Sequence, residues 1–175
     1  MGMLSGSPAW ESGTDKQGYW RIFNAPRNIG NWRKYVRETV SHYAGSIDDW
    51  EVWNEPWDMQ RFFAGGTPQL YVQLLRAAYE EAKAVHPGST IVGVNTYPPI
   101  WDMVILGMGA LPYYDVISWH RYDPALLGRP NDSVARVRDR LHRIQNRYGV
   151  PKPPLCSEGG PDVTPFHGSF FSFAA

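Results

Sequence analysis

An α/β fold built on a parallel sheet is predicted for this 175-residue chain, and three observations predict it. Strand-like and helix-like segments alternate along the sequence, the pattern of strands joined by crossover helices. Apolar residues make up 43 %, enough to bury a core in one compact domain or a piece of a larger one. Seventeen glycines and 15 prolines supply many connections rather than a few long helices.

The elements follow in order. Residues 2–7 form a short strand leading into Pro8, Ala9 and Trp10. A polar, aromatic loop continues to Pro26. Asn28 or Asn31 caps a helix whose inward face is Trp32, Tyr35, Val36, Thr39, Val40 and Tyr43, and Gly45 ends it. Residues 47–54 read as a strand closed by Pro56. Thr67 is an N-cap with proline at the first helical position. That helix buries Leu70, Tyr71, Leu74, Leu75, Ala78 and Ala82 and stops before Pro87. Residues 90–94 are a β-branched strand, 101–108 a helix and 115–119 a strand. Asp132 and Ser133 open a basic helix with Val134, Val137, Leu141, Ile144 and Tyr148 inside, closed by Gly149 and Pro151. Residues 154–158 are the last strand.

Composition narrows the function. Seventeen basic and 17 acidic residues give zero formal charge, which removes the simplest argument for nucleic acid or an anionic membrane as partner. No apolar run approaches the ~20 residues of a membrane span. Residues 1–8 show no signal peptide, and secreted and cytoplasmic locations both stay open. Cys156 is the one cysteine, and no Cys/His cluster has metal-ligand spacing, so neither metal nor organic cofactor is expected. Arg136, Arg138, Arg140, Arg143 and Arg147 spread around their helix beside Asp139, the pattern of a solvated outer face. His42, His86 and His142 take ordinary surface or packing roles. The unusual number is 14 % aromatics, with eight tryptophans, which fits flat faces stacking on sugar rings.

Two glutamates stand apart. Glu55 ends the strand that runs through Trp50, and Glu158 ends the last strand. Ligands of parallel sheets bind beyond the carboxyl ends of strands, so both occupy the useful edge. Taken singly, each is also an ordinary loop carboxylate. Together they are separated by three strand–helix units of roughly 34 residues, against about 31 in an eight-unit barrel of ~250 residues. That spacing places them on strands n and n+3 of a (β/α)₈ barrel, facing each other across its mouth.

Here the motifs carry a resemblance. Trp53-Asn54-Glu55-Pro56 resembles the Asn-Glu-Pro signature of the (β/α)₈-barrel retaining glycoside hydrolases, and residues 50–56 are most similar to glycoside hydrolase family 39. Residues 115–122, with His120 and Tyr122, resemble that clan's sixth barrel strand, and Pro8-Ala9-Trp10 the end of its third. Residues 155–160 resemble the seventh, with Ser157 in place of threonine. The resemblance implies Glu55 as acid/base and Glu158 as nucleophile, their carboxyl groups ~5–5.5 Å apart. The nucleophile must stay ionised, and its charge raises the pKa of the acid beside it. It also implies that Asn54 binds the sugar 2-hydroxyl, that Tyr122 holds a hydroxyl near Glu158, and that His120 donates to substrate or orients a carboxyl group. Asn54 in a turn, Tyr122 as a packed aromatic and His120 as a hydrogen-bonded core residue are the plainer alternatives. Trp10, Trp57 and Trp119 are candidate sugar platforms. Alternation turns Trp53 into the barrel as packing and puts Glu51 inward beneath Glu55, where a buried carboxylate needs a partner. The same rule makes Cys156 core filler below Glu158.

The match supplies barrel strands three to seven, so the chain is expected to be a fragment of a single catalytic barrel, acting on an oligosaccharide or polysaccharide. Substrate-holding residues of the early strands have no counterpart, and an open sheet exposes unpaired edges. A non-catalytic sugar binder on the same barrel is the rival reading, although it does not require two facing carboxylates. A doubly wound nucleotide-binding fold is a third, and lacks its Gly-x-Gly-x-x-Gly after a strand. The 175-residue chain alone is therefore expected to show little or no hydrolysis of aryl β-glycosides, while the completed barrel hydrolyses them. Cooperative folding with robust turnover by the isolated chain would contradict the fragment reading.

Overall fold

The computed structural model describes residues 1–11, 22–96, 99–123 and 134–161; at 96, 99, 121–123, 134, 160 and 161 it describes the backbone alone. Five strands, β1 (Gly2–Leu4), β2 (Asp49–Val52), β3 (Thr90–Thr96), β4 (Val116–Asp123) and β5 (Pro154–Pro161), pair in sequential order, and every pairing is parallel. Helices α1 (Ile29–Tyr43), α2 (Pro68–Val85), α3 (Pro99–Gly107) and α4 (Val134–Gln145) alternate with them, and a 3₁₀ turn at Leu111–Tyr113 precedes β4.

The helices start where local chemistry dictates. Asn28 Oδ1 accepts from the amides of Gly30 and Asn31, so of the two candidate caps Asn28 is the one used. Thr67 Oγ1 accepts from Leu70 N at 3.1 Å. Asp132 and Ser133, the expected start of α4, lie outside the described residues. On α1 the buried positions are Trp32, Val36 and Val40, while Tyr35 and Tyr43 are exposed at the margin of the stripe. Beyond α4, Tyr148 is also exposed, against the expectation that it packs inside. Arg33 and Arg37 of α1 clamp Glu81 of α2 at 2.7 and 2.5 Å. Burial pushes Glu81 up, but those two guanidinium groups hold its pKa below the ordinary value. Gly93 lets α2 approach the sheet, because a Cβ there would meet Leu75 Cδ1 at 2.7 Å.

The sheet is strongly curved. Three strand spacings separate β2 from β5, ~14 Å in a flat sheet. Ser157 Oγ of β5 nevertheless donates to Glu51 Oε1 of β2 at 2.7 Å. The strands thus form an arc of a barrel, with Glu51 on its concave face and the apolar core between its convex face and the helices.

Two expectations drawn from strict alternation fail. Trp53 does not enter the barrel. Its φ of +65° breaks the period of two, and its ring packs outward on Trp32 of α1 and on Phe63, at 5.9 and 5.2 Å between centroids. Cys156 does not lie beneath Glu158. Trp119 pairs with Cys156 but His120 with Glu158, so Ser157 is an extra residue in the ladder and Cys156 is exposed.

Asp102, in the first turn of α3, is fully buried, and neither carboxylate oxygen has a hydrogen-bond partner among the described residues. Burial pushes its pKa from 3.8 to about 7, against a pull downward from the charge of Arg140. The folded chain then binds a proton the unfolded one has lost, so stability is fullest below about pH 4 and falls as pH rises to about 7. Asp102→Asn is expected to flatten that slope and to raise the thermal midpoint at pH 8 by several degrees, on the order of 4 kcal/mol. Thermal melts of both proteins from pH 4 to 8 measure it, and parallel curves would contradict it.

Candidate active site

At the carboxyl ends of the strands, β3 breaks its ladder first. Val94 and Asn95 have φ of +75° and +55°, and the register to β4 shifts between Gly93 and Thr96. A β-branched residue in the left-handed region is held there only by specific partners. The Val94 amide donates to Tyr71 Oη of α2 at 2.9 Å, and its carbonyl accepts from Trp101 Nε1 of α3 at 2.8 Å. Tyr71 in turn donates to Val52 O at 3.3 Å, and burial raises its pKa well above the ordinary phenol value.

That bulge aims Asn95 at the next strand. Asn95 Nδ2 donates to Glu51 Oε1 at 2.9 Å and reaches Trp53 O at 3.4 Å, while its Oδ1 accepts from the amide of Glu55 at 3.3 Å. The turn that carries Glu55 is itself left-handed, with φ of +44° at Glu55. Glu51 is 2 % exposed, and Asn95 and Ser157 supply the partners a buried carboxylate requires.

Glu55 and Glu158 converge on His120. His120 Nδ1 lies 3.1 Å from Glu55 Oε1 and 3.5 Å from Glu158 Oε2. Two oxygens so placed on one nitrogen are no further apart than the sum of those distances. The imidazole is 2 % exposed, Glu55 12 % and Glu158 34 %, so the pair opens toward solvent on the Glu158 side. The pKa of Glu158 is raised, first by burial and then by the charges of Glu55 and Glu51; His120 pulls it back.

The other expected site residues fall into three groups. Asn54 Oδ1 and His120 Nε2 are buried with no hydrogen-bond partner among the described residues. Trp10 is 74 % exposed after β1, with its faces available. Trp57 is half-buried against the core, and Trp119 lies within the core, alternating with inward-facing His120, so its ring is not presented at the mouth. Tyr122 pairs through its backbone with Gly160, and its side chain lies outside the description. Asn95 escaped the sequence reading; a polar residue just past a β-branched strand was the available signal. His86 binds Asp48 at 2.9 Å, and His42 packs edge-on against Tyr43, ordinary roles as expected.

The architecture has close counterparts among solved structures. A monomeric beta-xylosidase from Caulobacter crescentus CB15 superposes with a TM-score of 0.71 at 21 % identity, over 93 % of this chain and 38 % of that one. A GH39 beta-xylosidase from Caulobacter crescentus gives 0.68 at 23 %, over 90 % and 36 %. The GH39 enzyme from Xanthomonas axonopodis pv. citri gives 0.68 at 19 %, over 93 % and 37 %. The chain thus spans little more than a third of these structures, and what it shares with them is the fold, part of a (β/α)₈ barrel. No protein-family model matches the chain, and no curated protein does.

Because, among the described residues, His120 is the one group acting to lower the pKa of Glu158, His120→Asn is expected to raise it. Titration of the glutamate carboxyl carbons by NMR measures the change. A Glu158 that titrates unchanged would show that the imidazole does not face it as a cation.

Proposed function

We propose that this chain carries the catalytic pair of a retaining glycoside hydrolase, as one portion of a single catalytic barrel, and that it cleaves O-glycosidic bonds of β-linked saccharides by double displacement. The observation that carries the reading is the pair of carboxylates on one histidine nitrogen at the carboxyl edge of a curved parallel sheet. β-Xylosides are the first class to assay, because two of the similar structures are described as beta-xylosidases.

In the first step the Glu158 carboxylate attacks the anomeric carbon while Glu55 gives its proton to the departing glycosidic oxygen. The C–O bond to the leaving group breaks and an ester to Glu158 forms. Esterification removes the negative charge facing Glu55. Glu55, now a carboxylate, takes a proton from water, which attacks the anomeric carbon and returns Glu158 as a carboxylate. Since burial and two neighbouring carboxylates favour the protonated form of Glu158, the nearby imidazole of His120 opposes them and favours the ionised nucleophile. Asn54 and His120 each offer an unpartnered buried polar atom for a sugar hydroxyl, and Trp10 offers an exposed face. Tyr122 and Trp57 complete the proposed substrate contacts, Tyr122 from its place in β4 two residues after His120.

Azide rescue in the completed barrel separates the two roles. Glu158→Ala removes the nucleophile, and added azide is expected to attack from the vacated side, giving a glycosyl azide of inverted configuration. Glu55→Ala still forms the ester from a substrate with a very good leaving group, and azide then replaces water to give a product of retained configuration. NMR of the two glycosyl azides reads the outcome. Reversed configurations would exchange the assignments, and near-wild-type turnover by both variants would overturn the hydrolase reading in favour of a sugar-binding one.

A further inference from the structure

The carboxylate of Glu51 is buried, yet its hydrogen bonds lead to the backbone of both glutamates, to Glu55 through Asn95 of β3 and to Glu158 through Ser157 of β5. One oxygen, Oε1, accepts from Asn95 Nδ2 at 2.9 Å and from Ser157 Oγ at 2.7 Å. Asn95 holds the turn of Glu55 through the Glu55 amide and the Trp53 carbonyl. Ser157 is the extra residue in the β4–β5 ladder, and it is this insertion that sets Glu158 opposite His120. The two glutamates project from separate backbone irregularities, and irregular backbone is held by its side-chain partners rather than by the ladder. Both irregularities share one acceptor atom.

We propose that Glu51 is the positioning residue of the pair, a single buried acceptor that fixes the Glu55 turn through Asn95 and the Glu158 bulge through Ser157. The proposal rests on the hydrolase reading and deepens it, since the separation of two carboxyl groups decides between attack by a carboxylate and attack by water. Glu51 makes no contact with substrate in this scheme. It acts through its two partners, and its charge adds a second effect. Among the described residues the charged groups acting on Glu158 are His120 from β4, Glu55 from the end of β2 and Glu51 from β2 itself, and only His120 favours ionisation.

Two variants separate positioning from plain packing. Glu51→Gln keeps the shape and an oxygen able to accept both hydrogen bonds, but removes the charge. It is expected to lower the pKa of Glu158, so that the acid limb of kcat/KM moves down by roughly half a pH unit or more. Ser157→Ala cuts the link to the bulge and keeps the charge. It is expected to reduce kcat by about tenfold to a hundredfold with a small change in KM. Ser157→Thr restores the hydroxyl and is expected to recover most of that loss. The measurements are pH–rate profiles in the completed barrel and carboxyl-carbon NMR titration of Glu158, which needs no turnover. A Glu158 titration unmoved by Glu51→Gln, or full kcat in Ser157→Ala, would overturn the assignment. If Glu51→Gln does not fold, the Ser157 pair decides. A wild-type barrel that hydrolyses no β-glycoside would instead overturn the hydrolase reading, while the titration still reports on Glu51.

Discussion

A peptide group buried among apolar side chains must find a hydrogen-bond partner, and at Val94 the sheet no longer supplies one. The partners come from the helix layer: the hydroxyl of Tyr71 for the amide, and the indole of Trp101 for the carbonyl. With both groups satisfied, a β-branched residue holds a left-handed conformation that ordinarily costs of order 1–3 kcal/mol. Everything at the mouth follows from that substitution of side chains for ladder. Asn95 turns onto Glu51 and the Glu55 amide, and the turn of Glu55 is held by side-chain contacts instead of by a neighbouring strand.

Curvature is the second consequence. Parallel strands in sequential order bring distant residues together only if the sheet bends, and here the bend carries Ser157 to Glu51 across two intervening strands. The concave face is therefore polar at its rim, with Asn95 and Ser157 bonded to Glu51 and His120 beside Glu55 and Glu158, and the convex face is apolar against the helices.

The balance of charge at the pair is tight. Three carboxylates, Glu51, Glu55 and Glu158, act on one another, and burial of Glu158 adds to their mutual repulsion. His120 offsets this from a nearly inaccessible position, its Nδ1 between two of them. Among the described residues, that imidazole alone favours the ionised form of Glu158.

Local rules determined much of this protein from the sequence alone. Side-chain oxygens of Asn28 and Thr67 capped helices, periodic apolar positions chose the buried faces of α1 and α2, and alternating segments implied a parallel sheet. Glu55 and Glu158 were legible because unit spacing along the chain converts directly into position around a barrel. What the tertiary structure decided lay where the period of two breaks. Trp53 turned outward, Cys156 became exposed and Ser157 entered the ladder, because left-handed φ angles and a register shift reassign faces that alternation assumes to be fixed. Trp119 likewise went to the core, although its place beside the strand end suggested the mouth. These breaks are stabilised by partners far off in sequence, Asn95 for Glu55 and Glu51 for Ser157, 40 and 106 residues away, and a local pattern holds no record of a partner that only folding brings near.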